Sequence, residues 1–396
     1  EISECLVGSE MCIRDREKRC MSCGGCSSVC PTDAIRMVYR EQEGFFRPVI
    51  EEAVCVGCGR CMKVCPAEHQ ENTALIGEYC DLYLAHSKNI DVRHGATSGG
   101  VINTLVRYLL DINLVEAVVM AGYSSDSPIE AEPYILTRSD INDLEQNPRD
   151  FASRYVTVPV LSKIKEVNNM KSIAVVGTSC QINALKLMGS RTLTSIFRIG
   201  ITCSGGMSYK ATTEYKRVQH LQSAKMFYRG DGWPGKNCLI TKDKCKSANH
   251  SGSLFERMFS SQIFKNPGCR YCKDHFAENA DISFCDFWNK SELSQEHEGN
   301  SCVIARSKLA QELMQKMQND NYIEVVRKLS ETEIESTQMH VLKAKKGDPH
   351  QISSYRHFLK VIDFVFEHGI YKLFGLKTYQ LFCRKYSEIM SKVRLE

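Results

Sequence analysis

The chain has 396 residues, 43% of them hydrophobic and 25% charged, which is ordinary for a globular protein and leaves room for roughly two or three domains. No stretch approaches the roughly 18 consecutive apolar residues that a membrane span requires. The net charge is +4, and residues 351–396 alone carry eight Lys/Arg against four Asp/Glu. The remainder is therefore neutral, which argues against the broad basic face that binds nucleic acid.

The 20 cysteines are the most informative part of the composition. The opening "EISECLVGSEMCIRDR" lacks the continuous apolar segment of a signal peptide, so we expect a reducing cytoplasm and metal-bound thiolates. Residues 1–16 also resemble translated sequencing adapter, which predicts a non-native leader. We therefore give Cys5 and Cys12 no role.

Two cysteine runs with the same spacing follow. "CMSCGGCSSVCP" begins at Cys20 and "CVGCGRCMKVCP" at Cys55, and both read C-x2-C-x2-C-x3-C-P. In two-cluster ferredoxins three cysteines of such a run hold one 4Fe–4S cluster and the fourth crosses to the other. The spacing thus predicts a ferredoxin domain over residues 17–72. Zinc is the weaker alternative, because zinc sites typically use two C-x2-C pairs and two identical runs of four that end in Cys-Pro fit this poorly. The predicted ligand sets are Cys20, Cys23, Cys26 and Cys65 for one cluster and Cys55, Cys58, Cys61 and Cys30 for the other.

A helix with one apolar face is predicted next, in "ATSGGVINTLVRYLLD". Ser98 precedes it as the expected N-cap, with Gly99 and Gly100 forming a close-approach turn. Free N–H groups at a helix start suit an anion such as a dinucleotide pyrophosphate, although most such ends are only caps.

A strand–helix–strand unit is predicted after the strand "LVEAVVMAGY". "SIAVVG" and "SIFRIGIT" are its strands, joined by a Gly177-Thr178-Ser179 turn and a helix from about Cys180. Parallel strands end at the same sheet edge, so Cys180 and Cys203 are expected to meet there. Cys269 and Cys272 add two thiolates from a later loop, enough for one more cluster. The alternative is that Cys180 and Cys203 are ordinary buried cysteines, with zinc or nothing at the C-x2-C pair.

From Cys20 to about Trp288 the chain resembles the coenzyme F420 hydrogenase/dehydrogenase beta-subunit family, and beyond about Ser301 the resemblance is loose. Besides the paired cysteine runs, the resemblance rests on "TSGG" (97–100), "SRYV" (153–156), "VVGTSCQI" (175–182), "ITCSGG" (201–206), "YRGDGW" (228–233), "CRYC" (269–272) and "ADISFCDFW" (280–288).

The resemblance implies FAD beside a third 4Fe–4S cluster in an α/β body. The implied ligands of that cluster are Cys180, Cys203, Cys269 and Cys272. The implied flavin contacts are Thr97, Ser98, Gly99, Gly100, Ser153, Arg154, Tyr155, Thr178 and Ser179. Arg154 and Arg229 are candidates to meet the negative charge of the reduced flavin near N1, and a surface salt bridge is the alternative for each.

Two departures from the family pattern stand out. Thr178-Ser179-Cys180 replaces the usual Thr-Pro-Cys, and Cys285-Asp286 replaces the usual Gly-Asp. A side chain at the glycine position is expected to crowd whatever approaches it. For Cys285 we favour a buried structural cysteine over a further ligand.

The predicted fold class is α+β. A two-cluster ferredoxin-like domain precedes an α/β flavin- and cluster-binding domain (73–300) and a C-terminal extension (301–396). The basic, aromatic segment within 351–396 has the period of an amphipathic helix, and we expect it to pack on its own domain rather than lie on a membrane surface.

Such an assembly converts electron pairs into single electrons, because a flavin exchanges two electrons with an organic molecule and the clusters carry one at a time. The first hypothesis is a cytoplasmic FAD-dependent iron–sulfur oxidoreductase that couples ferredoxin to coenzyme F420 or another organic substrate. The second is a non-catalytic electron-transfer subunit that feeds a partner enzyme, and the third is a zinc-ribbon binding module. No residue is assigned a catalytic role, and His94 and His275 are assigned none at all.

Overall fold

The computed structural model describes residues 19–69, 76–189, 195–289 and 294–346. The predicted leader at residues 1–16 and the predicted amphipathic helix within 351–396 lie outside these ranges. In the described part of the chain, no helix is both long and apolar enough to cross a membrane.

The N-terminal unit consists of the two cysteine runs and a hairpin between them. Strands β1 (Ile35–Arg40) and β2 (Phe45–Ile50) pair antiparallel. One short helix begins inside each run, α1 (Gly25–Ser28) and α2 (Arg60–Lys63). The backbone enters α1 through Gly24 at φ 85°, a left-handed conformation that a residue with a Cβ rarely adopts. The glycines between the cysteines therefore let the chain turn tightly at the places where the thiols converge.

The remaining strands form one large and one small sheet. They are β3 (Asp81–Ser87), β4 (Ala117–Gly122), β5 (Glu132–Leu136), β6 (Ser172–Thr178), β7 (Ser195–Ile201), β8 (Lys225–Phe227), β9 (Lys236–Ile240), β10 (Cys245–Asn249), β11 (Ile282–Asp286), β12 (Ser301–Ala305) and β13 (Ile323–Lys328). The α-helices are α3 (Ile90–Gly95), α4 (Val101–Asp111), α5 (Ile141–Gln146), α6 (Ser179–Met188), α7 (Tyr209–Val218), α8 (Leu254–Ser260), α9 (Lys308–Asn319) and α10 (Glu331–Lys346).

The large sheet has eight strands in the order β13-β3-β12-β11-β7-β6-β4-β5. Its centre, β4, β6, β7 and β11, is parallel, and the strands outside this centre pair antiparallel. Side chains alternate between its faces: Val118 and Met120 pack towards α4 and α9, whereas Ala117 and Val119 pack towards α6. Helices cover both faces, so the mixed α/β architecture predicted from the sequence is confirmed.

The helix predicted in "ATSGGVINTLVRYLLD" is confirmed as α4, but its N-cap is not Ser98. Gly100 is the N-cap residue, at φ 73°, with no side-chain hydrogen bond. The Ser98 hydroxyl instead contacts the Ser301 hydroxyl at 3.1 Å. Ser98 is therefore tied to the neighbouring strand β12, and the turn places two further residues between it and the helix.

The predicted strand–helix–strand unit is present as β6–α6–β7, and its strands are parallel. The turn is tighter than expected, because β6 runs through Thr178 and α6 begins at Ser179. Thr178 caps the helix together with Gln181, whose Oε1 accepts from the Thr178 N–H at 2.8 Å. Strand and helix thus follow one another without a loop, which holds Cys180 close to the sheet edge.

The C-terminal limit of the α/β body lies beyond the expected residue 300. Strand β12 is hydrogen-bonded between β11 and β3, and β13 pairs with β3 at the edge of the same sheet. Strands β12 and β13 therefore belong to the large sheet, because their backbone groups complete its ladder.

The small sheet, in the order β10-β9-β8, packs with α7 and α8 around a separate apolar core. The N-terminal unit packs against α6 and against the segment at Gly268 of the large body. A Cβ added at Gly25 would lie 2.9 Å from the Ala184 Cβ in α6, and one added at Gly268 would lie 2.5 Å from the Cys20 carbonyl oxygen. Backbones from the two parts are thus in close contact beside the cysteines.

Candidate functional site

The first cysteine site consists of Cys20, Cys23, Cys26 and Cys65. Burial raises the pKa of Cys23 well above its usual value, and Cys65, Cys26 and Cys20 raise it further. Burial also raises the pKa of Cys26, with contributions from Cys20 and Cys65. Such mutual effects require short distances between the four thiols. The structure therefore brings the fourth cysteine of the second run to the first three of the first run, as a crossed ligand set requires.

The second cysteine site is the predicted ligand set Cys30, Cys55, Cys58 and Cys61. Cys30 and Cys61 pack in one small apolar cluster, whereas Cys55 and Cys58 are exposed. Burial raises the pKa of Cys30, but hydrogen bonds outweigh burial and lower it. They come from the N–H and hydroxyl of Thr32 and from the N–H groups of Ala34 and Ile35. One side of this site is thus built for thiolate, and the other side faces solvent.

The third cysteine site consists of Cys180, Cys203, Cys269 and Cys272. Cys180 is the second residue of α6, Cys203 follows β7, and the other two lie in and just after the 3₁₀ turn Pro267–Arg270. Burial raises the pKa of Cys180, Cys269 and Cys272, and Cys203 contributes to the shift of all three. The structure therefore brings together the four cysteines that the topology and the family resemblance assign to one cluster.

Donors point at the sulfurs of the third cysteine site. The Gly206 N–H donates to Cys269 Sγ at 3.3 Å, and Lys345 Nζ donates to Cys272 Sγ at 3.6 Å. Burial lowers the pKa of Lys345, but the charges of Cys272 and Cys203 outweigh it and raise the value.

Among the described residues, no three His, Cys, Asp or Glu side chains are placed to hold a single metal ion. At Cys269 and Cys272 the two donors act against the effect of burial and favour thiolate, the form that binds an iron–sulfur cluster.

The first and third cysteine sites adjoin. Apart from burial, Cys23 is the strongest influence on the pKa of Cys180. Met21, Ala67, Cys180 and Cys272 form one buried cluster, and Cys23 packs against it. The two sites are therefore separated by packed side chains with little room for solvent.

A cavity of ≈ 550 Å³ opens at the ends of β6, β7 and β11, beside the third cysteine site. This volume is in the range of cofactor and ligand sites. Cys203 and His275 belong both to its wall and to the surroundings of the third cysteine site. Of the predicted flavin contacts, those in its wall are Thr97, Ser98, Gly100, Ser153, Arg154, Tyr155, Thr178 and Arg229.

Gly99 and Ser179 were also predicted as flavin contacts but lie outside the cavity wall. A Cβ on Gly99 would meet the Ser301 nitrogen at 2.6 Å, so this residue permits close packing of the turn on β12. Ser179 is buried, and its hydroxyl donates to the His275 carbonyl oxygen at 3.4 Å. Both residues therefore contact residues of the cavity wall without lining the cavity themselves.

Two arginines of the cavity wall carry side-chain N–H groups that are buried and have no acceptor. Arg154 donates from Nη2 to the Asp150 carbonyl oxygen at 2.8 Å, and Arg229 pairs through Nη1 with Asp286. Within the described residues, Arg154 Nε and Arg229 Nη2 are buried without a hydrogen-bond acceptor. A buried, unpaired N–H is costly, so these atoms fit an anionic or carbonyl-bearing ligand that would accept from them. The surface-salt-bridge alternative does not apply to Arg229, which is 4% exposed.

An aromatic wall that the sequence did not predict flanks Arg229. The rings of Trp233 and Trp288 lie 4.7 Å apart, and the Arg229 guanidinium lies 5.0 Å and 5.2 Å from their centroids. Both tryptophans are in motifs that carried the resemblance, "YRGDGW" and "ADISFCDFW", but only the folded chain brings them together.

His275 was given no role, yet it lies between the third cysteine site and the cavity. Its Nδ1 is 3.1 Å from the Cys203 carbonyl oxygen, and its Nε2 is 3.2 Å from Gln338 Oε1. Burial lowers the pKa of His275 to about 3, so the ring is neutral. In the sequence, only its position three residues after Cys272 indicated that it would lie near this site. His94, by contrast, is half-exposed and lies 2.8 Å from Glu298.

Cys285 lines the cavity, but it packs in a different apolar cluster from the third cysteine site. In β11 it is paired in register with Cys302 of β12. Cys285 is thus a buried residue of a central strand, consistent with the expected role as a structural cysteine.

Comparisons with known families cover most of the chain. Models of the N-terminal and C-terminal parts of the coenzyme F420 hydrogenase/dehydrogenase beta subunit match residues 82–165 and 170–331. Models of 4Fe–4S dicluster domains match residues 19–69 and 47–103. The iron–sulfur interpretation of the paired cysteine runs is thereby confirmed.

Curated relatives agree with these matches. The coenzyme F420 hydrogenase subunit beta of Methanosarcina barkeri is 24% identical over 294 residues, which are 68% of this chain and 94% of that protein. The protein with the same name from Methanothermobacter thermautotrophicus is 22% identical over 219 residues, 53% of this chain and 73% of that one.

A solved structure has a similar fold. It is a chain of the F420-reducing NiFe hydrogenase complex from Methanosarcina barkeri, with a TM-score of 0.54 and 20% identity, covering 73% of this chain and 96% of that chain. At this identity the likeness establishes the fold alone. The matched family models go further, because together they span both halves of the α/β body. The chain therefore belongs to the coenzyme F420 hydrogenase/dehydrogenase beta-subunit family, a family of iron–sulfur oxidoreductases.

Proposed function

We propose that this chain is an FAD-dependent iron–sulfur oxidoreductase that relays single electrons through three 4Fe–4S clusters to or from FAD. The FAD would exchange two electrons with coenzyme F420 or another organic substrate. The observation that carries the proposal is the continuous series from the first cysteine site through Cys23 and Cys180 to the third cysteine site and the cavity.

The order of the cysteine sites supports a relay. Cys55 and Cys58 of the second cysteine site are exposed, so an external redox protein can approach there. Cys20 of the first site and Cys61 of the second both raise the pKa of Cys26, so these two sites adjoin as well. In this proposal the chain's part is to hold the thiolates, exclude water between the inner two sites and keep the three sites in series.

The cavity suits FAD. The unpaired Arg154 Nε and Arg229 Nη2 donors fit phosphate oxygens or the N1–O2 edge of the ring system. Thr97, Ser98 and Gly100 add polar and backbone groups at the start of α4. Bound FAD would supply the change from two-electron to one-electron transfer. Cys203, shared by the cavity wall and the third cysteine site, would bring the two cofactors close together.

The second candidate is an electron-transfer subunit that feeds a partner enzyme. The Methanosarcina barkeri and Methanothermobacter thermautotrophicus relatives are named as subunits of coenzyme F420 hydrogenase. The exposed side chains of Val54 and Val56 beside Cys55 also suit contact with a protein partner, such as ferredoxin or another redox subunit.

The first experiment measures iron and flavin per chain after anaerobic purification. A Cys269→Ser/Cys272→Ser variant is compared with Cys80→Ser/Cys245→Ser, whose cysteines are exposed and lie outside the three sites. Three 4Fe–4S clusters predict about twelve irons with one FAD in wild type and in the control, and about eight irons in the first variant. About eight irons in all three proteins and no flavin would overturn the proposal.

Turnover separates the two candidates. The isolated chain, loaded with FAD and clusters, is mixed with reduced ferredoxin and coenzyme F420. Reduction of coenzyme F420 by the chain alone supports the enzyme. Reduction of the clusters by ferredoxin without turnover, restored only by a further subunit, supports the electron-transfer subunit.

A further inference from the structure

Lys345 is a buried cation at the third cysteine site. It lies near the end of α10, its exposure is 9%, and its Nζ donates to the Asp274 carbonyl oxygen at 2.6 Å and to Cys272 Sγ at 3.6 Å. Among the described residues no carboxylate forms an ion pair with this Nζ, but the charge of the Asp274 carboxylate acts on it after those of Cys272 and Cys203. The sulfurs of the third cysteine site are therefore the main anionic partners of the buried ammonium.

The position of Lys345 is held by a second contact on the same helix face. Gln338 precedes it by seven residues, about two turns of helix. Its Oε1 is 3.2 Å from His275 Nε2, and its Nε2 donates to the Asp286 carbonyl oxygen at 2.8 Å. These contacts fix the rotation of α10 about its axis. Lys345 lies on the same helix face as Gln338 and therefore faces the cysteines.

A buried ammonium favours the state of its neighbour that carries more negative charge. Taking an ammonium out of water is unfavourable unless an anion compensates it. When a 4Fe–4S cluster with four thiolate ligands takes up one electron, its negative charge increases by one unit, and no bond or proton needs to move. The nearby ammonium stabilises the reduced form more than the oxidised form, since electrostatic interactions are strong in a dry interior.

We propose that Lys345 is a positioning residue that raises the reduction potential of the third cluster and so holds an electron next to the cavity. The electron would come singly from the cluster at the first cysteine site, which is oxidised as the third cluster is reduced. This inference rests on the proposed third cluster. It concerns a residue beyond the matched family model, which ends at residue 331.

The test is a redox titration of the full chain, purified anaerobically with its clusters and monitored by EPR. Lys345→Met and Lys345→Gln remove the charge, and Lys345→Arg keeps it. Lys328→Met is the matched control, because Lys328 is an exposed lysine paired with Asp81. At a fixed ambient potential, we expect the ratio of reduced to oxidised third cluster to fall at least about tenfold in the neutral variants, or about 59 mV for a one-electron couple. The arginine variant and the control should keep the wild-type ratio.

Iron content distinguishes the possible failures. About eight irons in the wild type would overturn the proposed third cluster itself. About twelve irons in all proteins, with the same third-cluster potential in the neutral variants, would overturn only the role of Lys345. If both neutral variants lose about four irons and Lys345→Arg retains them, the charge is needed to hold the cluster, and the proposed effect on the reduction potential is overturned. Loss of iron in the arginine variant as well would show a packing role and overturn it.

Discussion

Cys23 of the N-terminal unit lies beside Cys180 at the start of α6, and this contact joins the ferredoxin-like region to the α/β body. Burial raises the pKa of Cys180 most, and Cys23 has the next largest effect. Met21 and Cys272 complete the buried surroundings. If each thiol binds a cluster, the two clusters are neighbours in the protein interior, and electrons can pass between them without crossing solvent.

Neighbouring reduced clusters should interact magnetically. In the fully reduced protein we expect EPR signals broadened or split by the first cluster's interaction with the second and with the third, and Cys180→Ser should remove only the part due to the third cluster, together with about four irons. Cys238→Ser is the control, because Cys238 is buried but belongs to none of the three sites. Iron analysis and EPR on the same samples make the measurement. Signals that are identical in Cys180→Ser and wild type would contradict the adjacency of the two clusters.

Arg154 is expected to bind the flavin through its unpaired Nε. A hydrogen bond to a charged group contributes about 1.5–3 kcal/mol, so Arg154→Met should weaken FAD binding about 10- to 100-fold. Arg138→Met is the control, since Arg138 is exposed and contacts Asn113 at 3.2 Å. Fluorescence titration of the deflavinated chain gives the dissociation constant. Equal affinity in the two variants would exclude Arg154 as a flavin contact.

His250 should make the fold sensitive to acid. Burial lowers its pKa to about 3, helped by Arg229, whereas an unfolded histidine has a pKa of about 6.5. Above pH 6.5 neither state binds the proton, so stability does not change. Between pH 6.5 and 3 only the unfolded state binds it, so stability falls by up to about 1.4 kcal/mol per pH unit.

The measurement is anaerobic urea unfolding at pH 7.5 and 5.5. The loss of stability over this interval should be about 1.4 kcal/mol smaller in His250→Gln than in wild type. Glutamine keeps an acceptor for the Asn237 side chain, which lies 3.2 Å from His250 Nδ1. His220→Gln, at an exposed histidine, should lose as much stability as the wild type does. The same loss in His250→Gln would mean that another group causes the acid sensitivity.

Gly99 permits the close approach of the "TSGG" turn to β12. The added Cβ of Gly99→Ala would meet the backbone at Ser301 and Ala85, at 2.6 Å and 2.7 Å. Overpacking of this kind costs about 1–3 kcal/mol, and the displaced turn should also retain less FAD. Ser98→Ala removes only a hydroxyl contact and should cost about 1 kcal/mol or less. Thermal unfolding and flavin content test both variants, and equal effects would show that the turn tolerates the side chain.

The paired cysteine runs illustrate what local sequence predicts well. Their spacing alone indicated two clusters and a crossed fourth ligand, because a cubane needs thiolates at fixed short intervals. The strand pattern also predicted β6, α6 and β7, since both faces of the parallel centre are apolar. The N-cap at Ser98 was wrong because a hydroxyl before Gly-Gly has two competing partners, the helix start and Ser301, and only packing decides between them.

The sequence by itself determined the chemistry of the paired cysteine runs, the family and the residues at the ends of β6 and β7, because these depend on local motifs and on their spacing and order along the chain. Only the tertiary structure decided which segments meet. The contact of Cys23 with Cys180, the tryptophan pair around Arg229, and Lys345 beside Cys272 each join residues far apart in the chain. Local patterns carry no information on such contacts, because they depend on how the N-terminal unit, the sheet edge and α10 pack against one another.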